Sequence, residues 1–162
     1  MTSPRLIDRT LLDAVSADAA AHSRRRRNRN FHPADDYPAH RLLNAVEPGS
    51  YVAPHRHLDP SKDESLVVLR GRFGIVIFND DGNVTLTAEL AAVSERLGID
   101  IPHGTWHSVV SLEPGSVFFE CKAGPFLPLS DAERAPWAPG ENDAGAAEYL
   151  AWLQRMYSGA GR

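Results

Sequence analysis

The chain has 162 residues and a net charge of −4, with 43% hydrophobic and 23% charged residues. This length and composition are typical of one globular domain with a buried core, and the acidic balance argues against a nucleic-acid partner. No apolar stretch approaches the ~20 residues that cross a bilayer, and the first residues lack the pattern of a signal peptide. The single cysteine cannot form an internal disulfide, so we expect a cytoplasmic protein without a membrane partner.

The N-terminal part, residues 1–38, is predicted to be a helix and a polar loop that pack on the main barrel. Asp8 is a suitable N-cap for a helix to about Ala21, because apolar residues recur along one side of that stretch. Residues 24–38 are polar and contain two prolines, which predicts a loop. The arginines at 24–27 and 29 form either a solvated basic turn or a rim that attracts an anionic ligand.

The central part, residues 39–125, is predicted to form the barrel itself. Short strands separated by turn signals are predicted over residues 40–47, 51–57, 64–70, 72–79, 84–90, 98–101, 106–112 and 116–122. Strands spaced in this way are typical of an all-β sandwich or barrel. Residues 126–162 are rich in proline and end in an amphipathic helix, which Asn142 or Asp143 would cap and which runs to about Tyr157. All three parts are expected to belong to one domain.

Three histidines and one glutamate in the central part have the spacing of a metal site. His55 and His57 are two residues apart, so on a strand both imidazoles face the same side. Glu64 begins the next predicted strand, and His107 follows in the stretch IPHGTWHSVVSL. Imidazoles with one carboxylate suit a divalent transition metal, with iron, manganese, nickel and zinc all open as its identity.

The first of these clusters resembles a motif of the cupin family, G-x5-H-x-H-x(3,4)-E-x6-G. Gly49, His55, His57, Glu64 and Gly71 match it, with six residues rather than three or four before the glutamate. The longer gap keeps two nearby carboxylates as alternative ligands, namely those of Asp63 and Asp59.

The second cluster resembles the other cupin motif, G-x5-P-x-G-x2-H-x3-N. Pro102, Gly104 and His107 match it, whereas only three residues lie between Gly98 and the proline, and Ser111 replaces the asparagine. The two motifs together imply a single cupin, jelly-roll-like β-barrel with flanking helices that binds a metal. Because cupins often pair through strands and terminal helices, the resemblance also implies a homodimer.

A resemblance that covers most of the chain is to the WbuC family of cupin-fold metalloproteins. The stretches that carry it are HRLLNAVEPGSYVAPHRH, FFECKAGPF and PWAP. Genes of that family are found among those for bacterial O-antigen biosynthesis. The resemblance therefore implies a cupin fold, a bound metal and a link to polysaccharide biosynthesis, but it names no reaction.

Several polar residues outside the motifs are candidates for binding a substrate. Some alternate along an extended stretch and either line the pocket or form an edge strand that faces water. Others lie on the first barrel strand and either reach the cavity mouth or belong to a solvent-facing row. These candidates are Asn28, Asn30, His32, His40, Arg41 and Asn44.

Glu120 is a candidate general acid or base. It lies between Phe119 and Cys121 in an apolar strand, where a carboxylate needs a partner or a cavity. Cys121 itself is expected to be an inert thiol in the core.

Two classes of function fit these features. The first, which we favour, is a metal-dependent enzyme that acts on a small polar metabolite such as a sugar or sugar nucleotide, as an isomerase or a dioxygenase. The second is a non-catalytic protein that binds a small molecule with the help of the metal. Both predict a small-molecule ligand as the partner.

Overall fold

The computed structural model describes residues 3–158, which form two α-helices, one 3-10 turn and eight strands. The helices are α1 (Arg9–Ala21) and α2 (Ala146–Arg155), and the 3-10 turn is Asp131–Glu133. No helix in this range is long and apolar enough to cross a membrane. The strands are β1 (Arg26–Asn30), β2 (Ala39–Val46), β3 (Glu64–Arg70), β4 (Arg72–Phe78), β5 (Val84–Ala91), β6 (Gly98–Ile101), β7 (Trp106–Ser111) and β8 (Ser116–Ala123).

The strands form two antiparallel sheets, with the orders β1-β2-β8-β3-β6 and β5-β4-β7. In the larger sheet early and late strands alternate, which is the wrapped connectivity of a jelly roll. Residues 51–57 lie beside β7, where the backbone of His55 pairs with that of His107. The predicted all-β jelly roll with flanking helices is therefore confirmed. Among the residues described, however, the two sheets do not join into one closed hydrogen-bonded barrel.

The core lies between the two sheets, and each helix covers an outer face. Asp8 caps α1 as predicted, because its Oδ1 accepts a hydrogen bond of 2.9 Å from the amide of Leu11. The apolar side of α1 packs on the outer face of the larger sheet, and that of α2 packs against the smaller one. The residues buried between the sheets are Val46, Leu66, Val68, Phe73, Ile75, Leu90, Ile101, Val109 and Phe118.

The predicted loop over residues 24–38 is wrong in part, since it contains β1. This strand pairs with β2 along its whole length, from Arg26 opposite Val46 to Asn30 opposite Leu42. Its composition is entirely polar, so no hydrophobic alternation marks it. The pairing with β2 satisfies its backbone groups, and this long-range contact is absent from the local sequence.

The predicted strand over residues 51–57 is also wrong, because only His55 makes a ladder contact there. Pro54 has no amide hydrogen to donate. The neighbouring backbone groups bond to loops instead: the Arg56 amide donates to the Glu133 carbonyl at 3.0 Å, and the His57 carbonyl accepts from Gly104 at 2.6 Å. The segment is thus extended and held from two sides by irregular chain.

Two smaller predictions also need correction. The last helix begins at Ala146, because the Asp143 carboxylate accepts a hydrogen bond of 2.7 Å from the Gly140 amide in the preceding turn and does not cap the helix. Cys121 is exposed rather than buried. It alternates with two inward-facing residues of β8 and therefore points to the outer face of the sheet.

Candidate metal centre

The four predicted metal ligands come from three neighbouring chain segments. His55 and His57 project from the extended segment 51–57, His107 from β7, and Glu64 from the start of β3. Two backbone hydrogen bonds join His55 to His107, with N–O distances of 3.0 and 2.9 Å. Gly104, with φ of 77°, forms the turn before β7 and donates its amide to the carbonyl of His57. The backbone thus sets the separation of the three imidazoles.

The three imidazoles converge on one point, and Glu64 lies beside two of them. One ring nitrogen from each of the three histidines lies within 4.8 Å of the others. The two oxygens of Glu64 are 3.0 Å from His107 Nε2 and 3.3 Å from His57 Nε2. The three nitrogens have the spacing of ligands around a single ion, and the carboxylate is in reach of two of them.

The alternative carboxylates do not face this point. Asp63 accepts hydrogen bonds from the amide and ring of His103, at 2.8 and 2.7 Å, on the exposed side of the strand end. Asp59 Oδ1 accepts hydrogen bonds from the amide and hydroxyl of Ser61, at 2.9 and 2.8 Å. The placement of the carboxylates thus favours Glu64 over both as the fourth ligand.

Backbone carbonyls orient two of the imidazoles. Nδ1 of His55 lies 3.0 Å from the carbonyl of Ala53, and Nδ1 of His107 lies 2.8 Å from that of Thr105. With Nδ1–H donated to a carbonyl, the neutral ring presents an unprotonated Nε2, which is the ligand form. Nε2 of His57 and of His107 are buried, and each contacts an oxygen of Glu64, at 3.3 and 3.0 Å. Buried imidazole nitrogens gathered beside a carboxylate fit a divalent ion.

The pKa shifts of His55 and Glu64 agree with this fit. Burial, followed by the proximity of His107, lowers the pKa of His55 to about 3, so this imidazole is neutral. Burial alone would raise the pKa of Glu64, but its contacts with His107 and His57 hold that pKa well below its usual value. Burial would likewise lower the pKa of His107, and the same carboxylate raises it. A neutral imidazole and an ionised carboxylate are the forms that bind metals.

An inner cavity of about 140 Å³ lies against the ligands, walled by three polar residues of β2 and β8. Lys122 Nζ is 2.7 Å from Glu120 and 3.2 Å from Glu64, and Asn44 donates to Glu120 at 2.8 Å. Burial, followed by the charge of Glu64, raises the pKa of Glu120. Burial would lower the pKa of Lys122, but the two carboxylates outweigh it and raise that pKa. The structure therefore places Glu120 next to the candidate metal centre, in a chain of charged groups.

Lys122 was not among the predicted site residues, although the sequence contains a signal for it. It follows Glu120 by two residues, so on a strand the two side chains share a face. The register of β8 against β3 brings Lys122 to the site, because it lies directly opposite Glu64. This pairing cannot be read from the local sequence.

A wider outer chamber of about 460 Å³ adjoins the inner cavity and shares the wall of Asn44, Glu120 and Lys122 with it. Five of the six predicted substrate-binding residues line this chamber. Arg41 does not, because it points to the opposite face of β2 and lies over the ring of Tyr37. Two of the lining residues stack as an imidazole pair with ring centroids 4.0 Å apart. The five are Asn28, Asn30, His32, His40 and Asn44.

Glu141 pairs with two members of the arginine run. Arg24 forms an ion pair of 2.9 Å with Glu141, and Arg26 pairs with the same carboxylate. Arg26 also donates to the carbonyl of Tyr51 at 3.0 Å. These contacts tie the start of β1 to the loop before α2, and Arg24, Arg26 and Arg27 line the outer chamber, so an anion-attracting rim stays a prediction.

Glu133 fixes the segment that carries His55 and His57. Its carboxylate accepts hydrogen bonds from the Leu58 amide at 3.0 Å and from the amide and hydroxyl of Ser130 at 2.9 and 2.7 Å. These hydrogen bonds, that from Leu58 first, lower the pKa of Glu133 to about 2. One carboxylate thus clamps the extended segment to the 3-10 turn.

We expect the Glu133→Gln variant to lose about 1 kcal/mol of unfolding free energy at pH 7, since charge-assisted bonds to a largely exposed carboxylate are lost. The folded pKa lies below the unfolded value of about 4.3, so this contribution is present above that pH and is lost as pH falls towards 2. Urea unfolding of the wild type and the Glu133→Gln variant at pH 7 and pH 3 measures this contribution. Glu95→Gln, at an exposed turn, is the matched control. A difference between variant and wild type that stays constant with pH would contradict the assignment.

Comparisons with solved structures agree with an all-β fold. KdgF from Halomonas sp. is 20% identical over 63% of this chain and 82% of its own, with a TM-score of 0.48. A cupin-2 domain containing protein from Shewanella frigidimarina is 20% identical over 60% of this chain and 80% of its own, with a TM-score of 0.46. The conserved protein of unknown function SPY1581 from Streptococcus pyogenes is 14% identical over 78% of this chain and 93% of its own, with a TM-score of 0.51. The last likeness shows a shared fold and nothing about activity.

Sequence comparison gives the family. No protein of curated function matches the chain. The cupin and WbuC assignments stay predictions, whereas the jelly-roll fold rests on the strand order. The model of a family described as a domain of unknown function, DUF6016, matches residues 7–90, just over half of the sequence. The chain therefore belongs to the DUF6016 family.

Proposed function

We propose that this protein is a metal-dependent cupin enzyme that acts on a small polar metabolite. His55, His57, Glu64 and His107 would hold a divalent transition metal, with iron, manganese, nickel and zinc all compatible with the ligand set. The observation that carries the proposal is the cluster of three ring nitrogens, one from each of these histidines, that lie within 4.8 Å of one another, with the Glu64 carboxylate beside two of them. Three imidazoles at this spacing are typical of a metal site.

The surrounding residues have the chemistry that catalysis next to a metal needs. When bound, the ion would polarise a ligand oxygen as a Lewis acid or, if redox-active, support oxidation by dioxygen. Glu120 Oε1 and Lys122 Nζ are 2.7 Å apart at the cavity wall, so a proton can be held or released there beside the ligand. The amides of the outer chamber offer both donors and acceptors to a polar substrate.

The finer parts of the proposal concern the substrate. A sugar or sugar nucleotide is supported by the amide-rich chamber of about 460 Å³, which exceeds the inner cavity and opens at the surface. A role in O-antigen or other polysaccharide biosynthesis is supported by the sequence resemblance to the WbuC family. The presence of a buried acid–base pair at the cavity favours an enzyme over a protein that only binds its ligand.

Elemental analysis of protein purified without chelators or a histidine tag tests the metal centre. We expect about one metal ion per chain in the wild type and at least a tenfold lower content in the His55→Ala/His57→Ala variant, because the remaining ligands cannot hold the ion alone. The control variant His22→Ala/His103→Ala removes as many histidines outside the centre. Equal metal in both double variants, or none in any of the proteins after reconstitution, would overturn the proposal.

A further inference from the structure

Two arginines around the start of β1 hold one carboxylate between them. Arg24 binds both oxygens of Glu141, with its Nε at 3.1 Å and its Nη2 at 3.0 Å, and Arg26 pairs with the same carboxylate. Burial, opposed by Glu141 and aided by the nearby charge of Arg24, lowers the pKa of Arg26 from its usual value. One negative charge therefore balances only one of two neighbouring positive charges.

Neither guanidinium of this pair uses all of its donors. Glu141 takes Nε and Nη2 of Arg24, so that Nη1 has no hydrogen-bond partner within the described part of the chain. Arg26 donates from Nη1 to the Tyr51 carbonyl at 3.0 Å and the Ser50 hydroxyl at 3.1 Å, and from Nη2 to Glu141, which leaves its Nε. A guanidinium has five N–H donors in a planar fork that matches phosphate oxygens. The pair can therefore bind a second anion beside Glu141.

The arginine pair borders both spaces of the candidate site. Arg24 and Arg26 line the outer chamber, and Arg26 also lines the inner cavity beside the metal ligands. The side chain of Arg24 is 56% exposed and that of Arg26 is 17% exposed, so a ligand meets Arg24 as it enters and Arg26 deeper inside. An anion on this pair would leave the rest of its molecule between the chamber amides and the metal centre.

The outer chamber has an excess of positive charge. Glu141 balances one of its three arginines, and Glu120 balances Lys122 at 2.7 Å. Asp35 adds one further negative charge, so the sum is +1 with neutral imidazoles. A divalent ion held by Glu64 and the three histidines would raise this sum to +2. The charged residues that line the chamber are Arg24, Arg26, Arg27, Asp35, Glu120 and Lys122.

We propose that Arg24 and Arg26 bind the phosphate group of a phosphorylated sugar, whose hydroxyl groups face the amides of Asn28, Asn30 and Asn44 in the outer chamber. A phosphate monoester carries about −1.5 to −2 at pH 7 and has three acceptor oxygens, which suits both the charge excess and the remaining donors. A carboxylate supplies one charge, and Glu141 already does so. The proposal rests on the proposed function for the role of the ligand as substrate, whereas the phosphate contact itself depends on the arginines.

Titration calorimetry with three sugars that differ only at carbon 6 tests this site. Glucose 6-phosphate carries a phosphate there, glucuronate a carboxylate and glucose a hydroxyl group. Metal content is measured first in every protein. We expect glucose 6-phosphate to bind about tenfold more tightly than glucuronate, and glucuronate more tightly than glucose, because each step adds charge and acceptors for the guanidiniums.

Three variants separate the arginine pair from other anion sites. Arg24→Gln should weaken binding of glucose 6-phosphate about tenfold, since Glu141 then neutralises Arg26 alone. Glu141→Gln should strengthen it about tenfold, because the competing carboxylate is lost, and misfolding cannot produce tighter binding. Arg29→Gln, on the same strand but outside both spaces, is the matched control and should bind like the wild type.

The results separate the phosphate site from the metal centre. Equal affinities for glucuronate and glucose 6-phosphate would overturn the phosphate site. So would an Arg24→Gln variant that binds glucose 6-phosphate like the wild type, or the absence of binding to metal-loaded protein. If glucose 6-phosphate binds with the expected differences to a protein that takes up no metal, the phosphate site stands and the metal centre is overturned.

Discussion

Replacing Gly71 by alanine is expected to lower the unfolding free energy by about 3 to 4 kcal/mol, which is among the largest effects of a single methyl group. Gly71 is the one-residue link between β3 and β4, where the chain passes from one sheet to the other. Its φ of 73° is unfavourable for any residue with a Cβ, at about 1 to 2 kcal/mol. The added Cβ would also lie 2.9 Å from the Cα of Ser116 at the start of β8.

The steric part of this cost cannot relax easily. Ser116 is fully buried, and its hydroxyl accepts a hydrogen bond of 3.1 Å from the Arg72 amide and donates one of 2.8 Å to the Glu113 carbonyl. To admit a methyl group, either β8 must move or these bonds must break. Overpacking of this kind typically costs about 1 to 3 kcal/mol beyond the backbone strain.

Gly115 provides a matched control for the part of this unfolding free energy that comes from backbone strain. Its φ is also 73°, but a Cβ there would meet nothing within 4 Å. We therefore expect Gly115→Ala to cost only the left-handed strain, about 1 to 2 kcal/mol. Thermal unfolding in the presence of a chelator, which removes any stabilisation by metal, should show a Tm for Gly71→Ala about 4 to 8 °C below that of Gly115→Ala. Equal values for the two variants would show that the contact with Ser116 relaxes freely.

The Gly71 position also shows what could be predicted from the sequence. The motif glycine, the strands on either side of it and the Asp8-capped helix follow from local patterns, because turn residues, period-two alternation and N-caps act within a few residues. The structure confirms seven of the eight predicted strands to within one residue at each end. Such features need no knowledge of the rest of the fold.

The features that could not be predicted depend on long-range contacts. The polar strand β1 exists because β2 pairs with it, and the segment of His55 and His57 is extended without a ladder because Glu133 and Gly104 hold it. Lys122 joins the site through its register opposite Glu64, and Glu141 reaches the arginines from more than a hundred residues away. No local pattern encodes these pairs, since they are set by packing.

Replacing Glu64 by glutamine is expected to weaken metal binding by about 100-fold or more. Replacing a residue that only hydrogen-bonds to a metal ligand already lowers metal affinity by about 10- to 100-fold, and Glu64 is proposed as a ligand itself. The change removes the one anionic ligand and leaves the ammonium of Lys122 balanced by Glu120 alone, next to the ion. The metal-free fold should persist, because a glutamine side chain of the same size can donate its amide to Nε2 of His57 or His107, which Glu64 contacts. Competition with a chelating dye measures the affinity, and circular dichroism verifies the fold.

Asp63→Asn is the matched control, since it removes the same charge one residue away. The Asp63 carboxylate binds exposed His103 and does not face the imidazoles, so we expect the metal affinity to stay within about twofold of wild type, as for a screened surface charge. The pair of variants thereby separates a ligand from a nearby negative charge. Loss of affinity in Asp63→Asn with retention in Glu64→Gln would reassign the fourth ligand to Asp63.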